Sequence, residues 1–97
     1  MNNLILVGKL KSKCEKVDNH YEFLIGVKRI FKDDNGEYQE DTFKVVTTIH
    51  SDLIEEALQV GNTVGIRGSL REDNGNVYVF ADKLTFLSTK TNEESGE

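Results

Sequence analysis

Thr42-Phe43-Lys44-Val45-Val46-Thr47-Thr48-Ile49 is rich in β-branched residues and reads as a strand. A short helix then fits Ser51 to Leu58. Ser51 or Asp52 can cap its start, and Leu53, Ile54, Ala57 and Leu58 fall on one apolar stripe. Gly61 stands where a helix stop is expected. Thr63-Val64-Gly65-Ile66-Arg67-Gly68-Ser69-Leu70 follows as a second strand carrying two glycines.

Upstream, Asn3-Leu4-Ile5-Leu6-Val7-Gly8-Lys9-Leu10 reads as a first strand whose middle is apolar on both faces, as in a strand covered on both sides. Tyr21 to Phe31 alternates as a second strand, with Tyr21, Phe23, Ile25, Val27, Arg29 and Phe31 on one face. Asp33-Asp34-Asn35-Gly36 is a turn signal leading back to the strand at Thr42, and Glu37 to Asp41 is expected to lengthen that loop. Downstream, Glu72-Asp73-Asn74-Gly75 is a second turn of the same kind. Val77 to Ala81 and Lys83 to Leu87 complete the hairpin, with a bend between them. Gly8 and Gly26 lie inside strands, where glycine marks the bulges and sharp coils that closing a small barrel requires.

Three strands, a short helix and two strands is the order of the oligonucleotide-binding fold. The expectation is therefore an all-β chain with one short helix: a five-stranded OB-fold Greek-key barrel, the helix between strands three and four. Residues 1–87 form this single domain, and residues 88–97 a short polar tail expected to fray. Ninety-seven residues suffice for one core and are too few for an enzyme with an interdomain cleft. Hydrophobic residues make up 37% and charged residues 30%, the balance of a globular domain. No apolar run is long enough to span a membrane, and Met1-Asn2-Asn3 is not the basic start of a signal peptide, which points to the cytoplasm.

Cys14 is the one cysteine, so the chain has neither an internal disulfide nor a cysteine-based metal cluster. His20 and His50 stand far apart without ligand-like neighbours, and neither a metal nor another cofactor is expected. His50-Ser51-Asp52 has the letters of a catalytic triad, but adjacent residues cannot converge as nucleophile, base and orienter must. Gly61, Gly65 and Gly68 form no phosphate-binding loop, and the glycine of Asp33-Asp34-Asn35-Gly36 comes too early for a calcium loop. No enzyme and no small-molecule substrate is expected.

Net charge is −5, unevenly spread. Residues 1–32 carry seven Lys/Arg against three acids, net +4, and the remainder five against fourteen, net −9. Such segregation can place a basic face on an acidic body.

Four pieces in order resemble the bacterial and phage-type single-stranded DNA-binding proteins (SSB family). These are Asn3 to Leu10, Gly26-Val27-Lys28-Arg29-Ile30-Phe31-Lys32, Gly61 to Leu70, and Ala81-Asp82-Lys83-Leu84-Thr85-Phe86-Leu87. The resemblance implies the barrel, single-stranded DNA as ligand, and homo-oligomers, dimer or tetramer, assembled partly through first strands. It places stacking aromatics at Phe31 and Phe43. Binding a single strand irrespective of sequence needs aromatic platforms and basic groups that track phosphates. Lys28, Arg29, Lys32 and Lys44 flank the two phenylalanines, Lys9 and Arg71 add further charge, and Tyr38 and Tyr78 are the aromatics that could replace missing platforms. The chain departs from the family pattern in having no tryptophan, Ile49 at the place of a later aromatic, a short hairpin after Leu70, and no apolar tip after Glu93, Glu94 and Glu97.

The expected function is sequence-independent single-stranded DNA binding in replication, recombination or repair. The alternative is an oligomeric interaction module of primosome-like or accessory type, with weak DNA binding or none. The doubly apolar first strand, Leu4, Ile5, Leu6 and Val7, is the expected oligomer interface.

Overall fold

The computed structural model describes residues 1–49 and 54–88. Six strands, β1 Leu4–Leu10, β2 Glu15–Val17, β3 His20–Lys32, β4 Tyr38–Thr47, β5 Thr63–Asp73 and β6 Asn76–Ser88, accompany one helical turn, α1 Ile54–Ala57. They form one mixed sheet in the order β1-β5-β6-β4-β3-β2, and a further β1–β3 pairing closes five of the strands into a ring. Every ladder is antiparallel except β4–β6, where Val45, Val46 and Thr47 run beside Val79, Phe80 and Ala81.

The core follows from strand alternation. Tyr21, Phe23 and Ile25 of β3 are buried with Val45 of β4, Val64 and Ile66 of β5, and Val79 and Ala81 of β6. Thr47 is the polar member, and its hydroxyl is satisfied: Oγ1 donates to the Ala81 carbonyl at 2.9 Å and accepts from the Ile49 N–H at 3.2 Å. A buried hydroxyl without such partners would cost about 1–3 kcal/mol. Ile54 and Leu58 close one end of the core. Ile54 and Leu58 of the apolar stripe read from the sequence thus pack inward, and the described part of the expected helix is Ile54–Ala57. His50 to Leu53 lie outside the described residues, and so do positions 89–97 of the tail.

Ring closure depends on β1 changing partners. Leu4 to Lys9 pair with β5, while Lys9 and Leu10 also reach Gly26 and Ile25 of β3. At the crossing, a Cβ on Gly8 would stand 2.2 Å from the Gly26 carbonyl oxygen, so only glycine lets the two backbones meet. The expected bend in the last strand is a register shift: Arg67 pairs with Lys83 and Gly68 with Ala81, leaving Asp82 as the extra residue of a bulge. β6 is therefore one strand, not two. Asn74 and Gly75 both have positive φ, 52° and 87°, the geometry of a two-residue type I′ hairpin turn.

Two other expectations change. The polar stretch expected as loop after Glu37 is strand from Tyr38 onward, paired with β3. β2 was not foreseen, being three exposed residues without apolar alternation. The result is a β3–β4 arm that projects beyond the ring. Tyr38 to Lys44 pair only with β3, and β3 from Val27 to Lys32 pairs only with β4.

Candidate nucleic-acid interface

The β3–β4 arm carries an open groove of about 550 Å³, lined by Leu6, Val27, Lys28, Arg29, Ile30, Phe31, Lys32, Asp33, Gln39, Asp41 and Phe43. Its shape comes from the ladder. Phe43 pairs with Ile25 and Asp41 with Val27, so both side chains continue the core-facing side of the sheet past the end of the barrel. Ile25 is fully buried there, while Phe43, in the part of β4 that among the described residues pairs with β3 alone, is 38% exposed.

Between Lys28, opposite Glu40, and Lys32, opposite Tyr38, the ladder slips: Arg29, Ile30 and Phe31 share the single residue Gln39 across the strand pair. A bulge of this kind re-aims side chains. Ile30 and Phe31 both emerge, 80% and 78% exposed. Two phenylalanines, an isoleucine and basic groups thus share one groove.

The turn at the arm's tip is held by Asp33. Its Oδ1 accepts from the N–H groups of Asn35 and Glu37, both at 2.9 Å, and its Oδ2 accepts from the Gln39 side-chain amide. The Glu37 N–H bond, followed by the Gln39 amide, holds the Asp33 carboxyl below its ordinary range.

The basic groups differ in how far their charge is available. Arg29 donates to Asp41 through both Nε and Nη2, at 2.9 and 2.8 Å, a bidentate pair inside the groove. These hydrogen bonds lower the Asp41 pKa and raise that of Arg29. Lys32 lies 5.7 Å from the Tyr38 ring centroid, at the edge of cation–π range. Neither Lys28 nor Lys32 is in an ion pair among the described residues.

The ten nucleic-acid-binding candidates read from the sequence do not form one surface. Phe31, Phe43, Lys28, Arg29 and Lys32 line the groove, and Tyr38 sits beside it, half exposed. Lys44, Arg71 and Tyr78 gather on the opposite, outer face of the sheet with His20, Glu22 and Phe80. There Lys44 contacts Glu22 at 3.3 Å, His20 Nε2 bonds Glu22 at 2.7 Å, and Arg71 lies 3.8 Å over the Phe80 ring. Lys9 belongs to a third cleft with Lys11, Lys28 and Glu40, where Lys11 pairs with Glu40 at 2.8 Å.

Sequence reading missed Ile30, Gln39 and Asp41, because strict alternation conceals a bulge. It also missed Phe80, whose outward direction follows from Val79 facing inward. Of the expected interface residues, Ile5 and Val7 face outward at 76% and 51% exposure, whereas Leu4 and Leu6 pack against the core. Among the described residues no cluster of His, Cys, Asp or Glu could hold a metal ion, and no helix is long and apolar enough to cross a membrane.

No family model matches the chain, and no curated protein matches it in sequence. Solved structures do. An SSB from Plasmodium falciparum in complex with single-stranded DNA superposes with a TM-score of 0.72 at 21% identity, over 91% of this chain and 96% of that one. A small single-stranded DNA-binding protein from Mycoplasma pneumoniae gives 0.65 at 19% identity, over 93% and 98%. The N-terminal domain of PriB from Thermoanaerobacter tencongensis, a dimeric structure, gives 0.59 at 23% identity, over 91% and 98%. At these identities the likeness is one of fold: the ring of strands is the OB-fold of the SSB and PriB structures.

Proposed function

We propose that this chain binds single-stranded DNA without sequence preference, as a homo-oligomer acting in the cytoplasm in replication, recombination or repair. The observation that carries the reading is the groove on the β3–β4 arm. Phe31 and Phe43 offer ring surface to bases, Ile30 widens the apolar floor, and Lys28 and Lys32, in no ion pair among the described residues, stand at the border for phosphates. The fold shared with an SSB that has been solved with single-stranded DNA agrees with this reading. Binding, rather than catalysis, is what these residues can perform: the groove holds aromatic rings, cations and carboxylates, but no nucleophile beside a base.

A second reading is an oligomeric interaction module with little DNA binding. It is favoured by the acids that accompany the bases: Asp41 on Arg29, Glu40 on Lys11 and Glu22 on Lys44. Fluorescence anisotropy of labelled dT oligomers of several lengths, at about 20 and 200 mM salt, separates the two. Binding that tightens with oligomer length and weakens with salt is expected. Folded, oligomeric protein that leaves the oligomers free at low salt would establish the interaction module instead.

A further inference from the structure

Arg29 has the one guanidinium in the groove, and the Nε–Nη2 edge of its fork is already filled. Asp41 takes it with both carboxylate oxygens, at 2.9 and 2.8 Å, from its position opposite Val27 in the ladder. A phosphodiester presents two equivalent anionic oxygens to a guanidinium in the same planar, bidentate way. The pair is on the surface, with the Arg29 side chain 61% and that of Asp41 38% exposed, so water and ligands reach it. Among the described residues, Lys28 and Lys32, on either side of the bulge that carries Arg29, have no such carboxylate.

Resting on the single-strand reading above, we propose that the Arg29 guanidinium is a phosphodiester subsite and that Asp41 is its internal competitor, occupying the fork until a DNA phosphate displaces it. An exposed ion pair is worth little, so displacement is feasible, and its cost corresponds to a factor of about 1.5–5 in affinity. Asp41 thereby lowers affinity without removing the contact: once it is displaced, Arg29 lies on the phosphate, and the same DNA counterion is released as in a chain without Asp41.

The test compares wild type, Asp41→Asn, Arg29→Gln and the Arg29→Gln/Asp41→Asn double variant by dT-oligomer anisotropy across salt. Asp34→Asn, on the exposed turn of the same arm, serves as a control for charge alone. Circular dichroism and thermal melting confirm that each protein is folded. The expected result is that Asp41→Asn binds about 1.5–5-fold tighter at low salt with its log–log salt slope unchanged, while Arg29→Gln loses about 0.7 of that slope, the value of one contact on a single strand. In the Arg29→Gln background the same change should give no more than Asp34→Asn gives.

An affinity for Asp41→Asn equal to or below wild type, with wild type binding, would overturn the competitor and leave the single-strand reading standing; Asp41 would then be positioning Arg29. A gain that persists without Arg29 would also overturn it, as a general charge effect. Failure of wild type and Asp41→Asn alike to bind at low salt would sink both readings together.

Discussion

Gly8 and Gly26 meet face to face where β1 leaves β5 for β3, and a Cβ added at position 8 would stand 2.2 Å from the Gly26 carbonyl oxygen. Backbone cannot yield as the end of a flexible side chain can. Gly8→Ala should therefore separate β1 from β3 and destabilise the fold by about 1–3 kcal/mol or more. Gly65 is a strand-interior glycine with ordinary room, the nearest atom to its Cβ being Leu87 Cδ1 at 3.7 Å. Gly65→Ala should be neutral or stabilise by up to about 1 kcal/mol. Urea unfolding of the two variants checks this, and equal midpoints would refute it.

Phe31 and Phe43 should be separable by their effects on folding. Phe31 is 78% exposed on a bulge, so Phe31→Ala should leave the melting temperature nearly unchanged. Phe43, opposite the buried Ile25, is 38% exposed, so Phe43→Ala should lower it. Each should weaken oligo-dT binding by about 1–3 kcal/mol, the worth of one base stacked on an aromatic ring. If both variants bind like the parent, neither ring is a platform.

The strand order, the two Asn-Gly turns and the barrel were legible because each leaves a local mark: alternation at Tyr21, Phe23 and Ile25, positive φ at Gly36 and Gly75, and a glycine at a crossing. What escaped has no local mark. β2 is short and exposed, and β4 begins at Tyr38 within a polar run that is strand only because β3 lies beside it. The slip opposite Gln39 depends on pairing between strands, so the direction of Ile30 and Phe31 could not be read from their own alternation. The same holds for the ten site candidates. Their residue types were evident, but Lys44 follows Phe43 in sequence and points to the other face, which divides them between surfaces.

Asp33 gathers three donors at the tip of the β3–β4 arm. Asp33→Ala leaves the Asn35 and Glu37 amides to water and should loosen the tip without touching the core. Melting temperature should change little, amide exchange at Asn35 and Glu37 should quicken, and oligo-dT affinity should fall. Unaltered exchange at both amides would show that the tip is held by its backbone alone.

On the outer face, the His20 hydrogen bond, with Lys44 assisting, lowers the Glu22 pKa from its ordinary 4.5 against the opposing effect of burial. A carboxyl whose folded pKa lies below its unfolded value stabilises the fold above the unfolded value, and the contribution is lost as pH falls through the folded one. The stability difference between wild type and Glu22→Gln should thus be present above pH 4.5 and shrink below it. Urea titrations from neutral to acid pH measure it. A difference that grows on acidification would mean the folded pKa is raised instead.

The first strand yields the prediction on assembly. Leu4 and Leu6 pack against the core, leaving Ile5 and Val7 as its outward apolar residues, at 76% and 51% exposure. Among the described residues Leu4 to Gly8 pair only with β5, which leaves one backbone edge beside this apolar strip for a second copy. An open edge with outward apolar side chains favours association, and a lysine on it is the usual way strands are kept apart. Ile5→Lys and Val7→Lys should each give monomers in sedimentation equilibrium. Leu24→Lys, on the outer side of β3 at 39% exposure, should leave the oligomer intact. Because both β1 positions are exposed, neither change should unfold the protein. An oligomer that survives both would place the assembly contact away from β1.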